Sequence, residues 1–221
     1  MRTDQAKTTV AIVIIAGAVA FLFFSLREPR PSVDPRADRA LGEVVAAEAV
    51  KSLGSGGRLT VITRDPALFE NPASAFQIEA FYRALKKSNV ALAATNMVQQ
   101  DPLRLVRVPP GAYVDIMKKL GDNDVIVSFL GPPILNDEQK ASMGEKRPHI
   151  VAVCSGWLPR EVDVKELFAQ KLLHVAIVSR LQAAPTPPVS NNPREWFDHY
   201  YEVITPANLS ELQPAPNTAS R

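Results

Sequence analysis

Five short apolar segments alternate with helix-like stretches along most of this 221-residue chain. The segments are residues 58–63, 90–95, 124–130, 149–154 and 174–179, and apolar residues recur between them at helical spacing. These segments lack polar alternation, which is typical of strands covered on both faces. Strands joined by helices predict right-handed crossovers. The pattern therefore predicts an α/β domain, a doubly wound and mainly parallel sheet of five to six strands, with "REWFDHYYEVIT" supplying a last helix and strand.

Composition narrows the classes of function. The chain carries 25 Lys and Arg against 23 Asp and Glu, a net charge of +2. The sequence has no basic stripe, so we expect no nucleic-acid binding. One cysteine excludes an internal disulfide, and three scattered histidines give no chelating spacing. We therefore expect neither a metal nor another cofactor.

The N-terminal region contains the most apolar part of the sequence. Residues 8–26 are uncharged and reach roughly 28 Å as a helix, enough to cross a bilayer core. The segment predicts a transmembrane signal anchor; the alternative is a cleaved signal peptide, because Ala18-Val19-Ala20 offers a small-x-small site. The predicted organisation is a tail (1–7), the transmembrane helix (8–26), a Pro-rich spacer (27–37), the α/β domain (38–212) and a disordered tail (213–221).

Polar residues follow several of the predicted strands. Since ligands of open parallel sheets collect at the carboxyl ends of the strands, we predict ligand contacts there. The candidates are Arg64, Asp65, Asn96, Ser155 and Arg180, with Asp65 and Asn96 as the first polar contacts. The alternative is that they are turn residues and helix caps, since strand-to-helix turns favour the same residue types.

Cys154 suggests a nucleophile, which would need a histidine within hydrogen-bond reach. His149 and His174 both begin their predicted strands, so both should lie at the opposite edge, about 17 Å from Cys154. His199 is the one histidine left as a possible base, and the sequence does not fix its position. A buried structural cysteine is the favoured interpretation. We expect no enzyme, and a hydrolase using Cys154 or Asp65 is the weakest alternative.

Two further features invite functional interpretations that their context disfavours. The "GSGG" of residues 54–57 follows a helix and precedes a strand, the reverse of a phosphate-binding loop, so it predicts a helix end and a turn. The aromatic residues of 196–201 could stack on a sugar ring, but packing against the sheet is the favoured interpretation.

Two long motifs resemble a known family. The stretch "LGEVVAAEAVKSLGSGGRLTVITRDPALFENPASAFQIEAFYRALKK" (41–87) is similar to the C-terminal lobe of type I periplasmic substrate-binding proteins of the ribose-binding kind. The end of the chain, "YYEVITPANLSEL" (200–212), is similar to the closing strand of that lobe. Together with the transmembrane anchor predicted for residues 8–26, the resemblance implies a membrane-anchored binding, sensing or assembly module with a sugar-like ligand or a protein partner, and a periplasmic location for the domain.

The sequence departs from that family in three ways. Proteins of the family are usually released or lipid-anchored, whereas Cys154 is no lipidation cysteine. The family has two lobes around its ligand, whereas this chain has room for one. Where the family grips its ligand after the third strand, this chain has "FLGPP" (129–133), in which Gly131 and Pro132 offer no side-chain acceptor. The resemblance therefore implies a degenerate sugar site, unless a partner or a homodimer supplies the second half. The alternative is a structural envelope protein that binds another protein.

Overall fold

The computed structural model describes residues 34–67, 71–99, 107–144, 146–155, 162–180 and 186–211, with four helical residues before them, Ile15, Gly17, Ala18 and Phe21. The chain divides into two compact units, Met1–Asp34 and Pro35–Arg221. No helix in the described part of the chain is both long and apolar enough to span a bilayer. Most of the predicted transmembrane segment and both predicted tails lie outside the described residues. The anchor therefore stays a prediction.

The second unit alternates helices and strands, as the apolar pattern predicted. Its helices are α1 (Pro35–Ser52), α2 (Pro72–Lys87), α3 (Pro110–Met117), α4 (Asp137–Ala141), α5 (Val164–Ala169) and α6 (Pro193–Tyr200). Its strands are β1 (Leu59–Arg64), β2 (Leu92–Val98), β3 (Val125–Ser128), β4 (His149–Cys154), β5 (Val175–Ser179) and β6 (Tyr201–Ile204). A short 3₁₀ helix, Leu209–Glu211, follows.

The strands form one six-stranded sheet in the order β2-β1-β3-β4-β5-β6. All neighbours are parallel except β5 and β6, which are antiparallel. The predicted fold class is thus confirmed. Among the boundaries that differ, two bear on the site and the spacer: β2 continues to Val98, so that Asn96 lies within the strand, and α1 begins at Pro35 inside the stretch assigned to the spacer.

Both faces of the sheet are buried. Val61, Val127 and Val151 point to one face, into a core shared with α1, α2 and α6. Ile62 and Ile126 point to the other, into a core shared with α3 and α5. Alternate residues of each central strand therefore enter different cores, which explains why these strands are apolar throughout.

The amino edge of the sheet is fixed by Asp124, which precedes β3. One of its carboxylate oxygens accepts the Arg58 backbone N–H at 2.7 Å, and the other accepts the Gly121 N–H and an Arg58 guanidinium N–H, each at 2.8 Å. The hydrogen bond from Arg58 is the main cause that lowers the pKa of Asp124. Since Arg58 precedes β1, this carboxylate joins the starts of β1 and β3.

The glycine-rich turn fits against the same edge. A Cβ on Gly57 would lie 1.9 Å from the Asn123 carbonyl oxygen, and the Gly54 N–H donates to that oxygen at 3.1 Å. Gly56 adopts a positive φ of 70°. These glycines permit a tight turn and a close backbone approach, so the structure agrees with the helix-end interpretation of residues 54–57.

Helices α1 and α2 approach each other closely at Gly42. A Cβ there would lie 2.1 Å from the Gln77 carbonyl oxygen of α2. Because that neighbour is backbone, only a shift of one helix could relieve the clash.

We therefore expect Gly42→Ala to lower the free energy of unfolding by about 1–3 kcal/mol, although alanine is the better helix former. Gly111→Ala is the matched control, because Gly111 is also helical and a Cβ added to it would meet no atom within 4 Å; it should be neutral or stabilise by up to about 1 kcal/mol. Urea unfolding of both variants measures the difference. Equal effects would contradict the proposed close contact.

Candidate functional site

Four of the five predicted site residues lie where strands end. Arg64 is the last residue of β1, and Asp65, Ser155 and Arg180 directly follow β1, β4 and β5. At about 4.8 Å per strand, Asp65 lies roughly 10 Å from the level of Ser155 and 14 Å from that of Arg180. These residues share the carboxyl edge of the sheet but are spread along it. Asn96 pairs with Ile62, so it lies two residues short of that edge.

The partners of Asp65 and Arg180 are structural. The Asp65 carboxylate accepts the Ala67 N–H at 3.0 Å, as in a turn. Arg180 donates from Nε to the Tyr201 carbonyl at 3.2 Å and pairs with Glu202 at 3.3 Å, which ties β5 to β6. Ser155 is exposed and Asn96 half-buried. The ligand role of all five residues stays a prediction.

A groove opens at the carboxyl ends of β1 and β2, beside the start of α2. Its volume is about 520 Å³. We call it the carboxyl-edge groove; it is lined by Thr63, Arg64, Pro66, Asn71, Pro72, Ser74, Ala75, Ile78, Glu79, Tyr82 and Met97. Of the five predicted site residues, all of which are described, Arg64 alone lines it.

Helix α2 contributes six residues to this groove, and Ile78 and Tyr82 are the largest apolar side chains among them; Tyr82 also packs against the core. The sequence pattern groups Ile78 with the core-facing residues of this helix, whereas it lines the groove with Tyr82. Phe81 and Leu85 form the buried stripe. Met97 of β2 also lines the groove, and it is 60% exposed. The i, i+4 spacing of Ile78 and Tyr82 could have indicated these groove residues from the sequence, because it marks a second apolar stripe beside the first.

The strand end after β3 is filled by the protein itself. Gly131 has a φ of 92°, and its carbonyl accepts the Tyr113 hydroxyl hydrogen at 3.1 Å. Pro132 and Pro133 are buried. This end of the sheet is thus scaffold, as the absence of a side-chain acceptor in "FLGPP" indicated.

Cys154 lies inside the core rather than at a reactive surface. It is 1% exposed, and burial raises the pKa of its thiol to about 12. His149 begins β4 and His174 immediately precedes β5, so both lie at the amino edge while Cys154 ends β4. The predicted separation of these two histidines from Cys154 is confirmed, so neither of them can serve as its base.

The two histidines form a pair that the sequence pattern did not predict. Their rings stack with centroids 4.4 Å apart and an interplanar angle of 7°. The Ile150 N–H donates to His174 Nδ1 at 3.1 Å, so the ring proton of neutral His174 is on Nε2. Burial, with contributions from His149 and Lys171, lowers the pKa of His174 to about 4. His149 begins β4 and His174 directly precedes β5, the neighbouring strand. This shared position at the starts of two strands could have indicated the pair from the sequence.

The aromatic residues near the C-terminus pack inward. Trp196 and Phe197 are 2% and 0% exposed, and Trp196 Nε1 donates to the Ser190 carbonyl at 2.6 Å. The Arg36 guanidinium carbon lies 4.1 Å from the centroid of the Trp196 ring. The packing interpretation is confirmed for these two residues.

The described elements form an α/β domain with one six-stranded, mainly parallel sheet, and several solved structures are similar to it. Neither a protein-family model nor a curated protein sequence matches the chain. Among solved structures, a carbohydrate transporter solute-binding protein from Agrobacterium radiobacter in complex with D-arabinose is 11% identical, with a TM-score of 0.48, over 81% of this chain and 61% of that one.

Two further structures show the same likeness. An ABC transporter solute-binding protein from Burkholderia graminis, also in complex with D-arabinose, is 13% identical over 80% of this chain and 62% of that one, with a TM-score of 0.47. A periplasmic ribose ABC transporter protein from Conexibacter woesei is 12% identical over 64% of this chain and 45% of that one, with a TM-score of 0.42. This chain is thus similar to periplasmic sugar-binding proteins of the ribose-binding type, and it spans about 61% of the length of the first of them.

The depressed pKa of His174 predicts a pH-dependent stability. An unfolded chain binds the proton near pH 6.5, whereas the folded chain excludes it until about pH 4. Between these values the unfolded state binds more protons, so the free energy of unfolding should fall as the pH falls from 6.5 to 4. Urea unfolding of the full chain in mild detergent measures this slope.

His174→Asn keeps an acceptor for the Ile150 N–H and removes the titration, so its stability should depend less on pH across this window. His199→Asn is the control and should keep the original slope. Identical slopes in the original chain and in His174→Asn would contradict the role assigned to His174.

Proposed function

We propose that this chain is a membrane-anchored binding or assembly module that takes a ligand or partner at the carboxyl edge of its sheet. The observation that supports this proposal most directly is the carboxyl-edge groove, which has a volume of about 520 Å³ at the ends of β1 and β2. Ligand sites of open parallel sheets form at this edge, and concave sites of this size accept small molecules. The sequence motifs of residues 41–87 and 200–212 support the same class of function.

The lining suits a ligand with an apolar face and polar edges. Ile78, Tyr82 and Met97 supply apolar surface, while Arg64 and Glu79 bring charge to the same groove. A sugar ring has this character, since its C–H face can rest on an aromatic ring and its hydroxyls can bond to charged groups. We therefore propose a sugar-like ligand.

A single lobe covers one side of such a ligand. Small-molecule sites normally bury most of the ligand surface, and binding must first offset the lost freedom of the ligand. The affinity of this chain alone should therefore be weak. A partner protein or a second copy of the chain would supply the missing wall, which is the sense in which the sugar site is degenerate.

A structural envelope protein that binds another protein is the second candidate, and the edge strand β2 favours it. Residues Leu92–Val98 contain no charged side chain, and Met97 is 60% exposed. Among the described strands β2 pairs with β1 alone, so its outer backbone groups can accept an added strand. The groove and this strand are adjacent through Met97, so one partner could use both.

A hydrolase is disfavoured by the geometry of its proposed groups. Burial and the raised pKa of Cys154 oppose thiolate formation, and the Asp65 carboxylate is engaged by the Ala67 N–H. We propose a non-catalytic role on these grounds.

Met97→Glu should impair the proposed site, because it places a charge against the apolar wall of the carboxyl-edge groove. D-arabinose, the sugar bound in two of the similar structures, is the probe for calorimetry on the full chain in mild detergent. We expect millimolar-range binding that Met97→Glu weakens at least about tenfold. Ala47→Glu, an exposed position of α1 outside the groove, is the matched control and should bind normally.

A photo-crosslinking residue at position 97, compared with one at position 47, tests the second candidate in cells. A crosslinked protein at 97 alone supports partner binding. If sugar binding is insensitive to Met97→Glu and crosslinks are the same at both positions, the proposed site is wrong. Micromolar binding by the isolated chain would contradict the degenerate single-lobe site.

Membrane anchoring by residues 8–26, with the domain in the periplasm, has a separate test. A reporter enzyme that is active only after export, fused after residue 221, should be active in bacterial cells, and the fusion should sediment with membranes. Replacing Ile12 and Ile14 by Arg should release the protein from the membrane fraction, because charges at the centre of a span are costly. Thr3→Arg is the control and should leave sedimentation unchanged. An inactive reporter on membrane-bound protein would contradict the periplasmic location.

A further inference from the structure

A second concavity lies at the amino edge of the sheet, opposite the edge that carries the groove. We call it the amino-edge pocket; its volume is about 630 Å³, and it is lined by Asp122, Gly144, Lys146, Arg147, His149, Ala169, Gln170, Lys171 and His174. Its residues come from the loop before β3, the segment before β4 and the turn between α5 and β5. Three separate parts of the chain thus converge on one surface.

The described lining of this pocket is cationic. Lys146, Arg147 and Lys171 face one acidic residue, Asp122, which gives a net charge of +2 with neutral histidines. Other acids on the neighbouring elements have partners: Asp124 pairs with Arg58, and Glu166 accepts from the Gln170 side chain. Glu145 lies outside the described residues. This local excess equals the net charge of the whole chain, which is also +2.

Arg147 is held in place rather than extended into solvent. Its Nε donates to the Gly144 carbonyl and its Nη1 to the Gln170 carbonyl, each at 3.2 Å. These bonds join the two loops on either side of the pocket. They leave further guanidinium N–H groups, since the side chain carries five donors in all.

The histidine pair adds a neutral donor beside these cations. Because His174 accepts the Ile150 N–H at Nδ1, its Nε2–H is the remaining polar group of the ring. The stacked His149 ring accepts no hydrogen bond among those found in the described part of the chain, and its ring is therefore available as well.

Lys171 occupies an unusual backbone conformation for a lysine. Its φ is 55°, just after the end of α5, where glycine is the ordinary choice. The chain therefore keeps a long cation at a position where the backbone alone would favour a residue without a side chain.

We propose that the amino-edge pocket binds a phosphate group, carried either by a small soluble molecule or by a lipid headgroup. A phosphate monoester carries a charge of about −1.5 to −2 near neutral pH and several acceptor oxygens. That charge matches the excess of +2, and the oxygens match donors that approach from separate loops. A carboxylate, with one charge, would leave part of the cationic lining uncompensated. This site is independent of the function proposed for the carboxyl-edge groove.

The three histidines of the chain make the test direct. The imidazole C–H signals of His149, His174 and His199 are assigned by their loss in the corresponding His→Gln variants, using the full chain in mild detergent. Inorganic phosphate is then titrated at pH 7 and constant ionic strength. We expect saturable shifts of the His149 and His174 signals and no shift of the His199 signal, because His199 lies on α6 and does not line the pocket.

Matched lysine variants distinguish binding at a specific site from general screening of the protein's charges by the added salt. Lys171→Gln should weaken phosphate binding about tenfold, because a charge-assisted contact is lost. Lys51→Gln removes an exposed lysine of α1 and should bind as the original chain does. Equal binding by both variants, or the same shifts with chloride in place of phosphate, would overturn the proposal.

A second experiment distinguishes a soluble phosphate compound from a lipid headgroup. The full chain is placed in nanodiscs of phosphatidylcholine, with or without phosphatidic acid, whose headgroup is a phosphate monoester, and no added phosphate. Shifts of the His149 and His174 signals that require phosphatidic acid support a lipid headgroup. Shifts with inorganic phosphate alone support a soluble ligand, and shifts in neither arm overturn the site.

Discussion

The Asp124 carboxylate is the contact that aligns strand β1 with strand β3. By binding the Arg58 N–H and guanidinium together with the Gly121 N–H, it sets the starts of β1 and β3 side by side, where Leu59 pairs with Val125. This pair keeps one register from Leu59–Val125 to Ile62–Ser128, so the alignment at the amino edge also decides which of their residues share a level toward the carboxyl edge. The β1–β2 pair instead shifts register between Leu59 and Thr60, so the position of β2 beside the groove is set separately.

The fold is predictable from sequence where burial alone decides structure. Val61 and Ile62 enter opposite cores, so neither can be polar, and an uninterrupted apolar run is the visible consequence. Prediction fails at boundaries where burial is incomplete. Strand β2 reaches Val98 because its backbone pairs with β1 through Asn96 and Met97, whose side chains give no apolar signal of a strand. The helix boundary at Pro35 is ambiguous because proline is common both at the first position of a helix and in an extended Pro-rich spacer.

The candidate site was partly predictable for a similar reason. Chain order and parallel pairing place Arg64 and Ser155 at one edge without any knowledge of side-chain contacts. A groove, however, depends on side chains that lie at the margin of the core, as Tyr82 does. Ile78 and Tyr82 are spaced as a helix face should be, but whether that face meets the sheet or a cavity depends on the angle of α2, and Gly42 of α1 allows that close approach. Periodicity reports which residues share a face, and it does not report what covers the face.

The two edges of the sheet differ in chemistry, and the packed sheet between them limits how they can interact. Apolar side chains dominate the groove at the carboxyl edge, whereas lysine, arginine and histidine dominate the pocket at the amino edge. The Ile150 N–H bond to His174 and the first ladder bonds of β4 and β5 lie at the amino edge, so an anion bound there would act on the pairing of these strands. Since both cores are close-packed, this effect would be a gain in stability of the whole domain rather than a movement of the groove, because a ligand that binds only the folded state raises the free energy of unfolding.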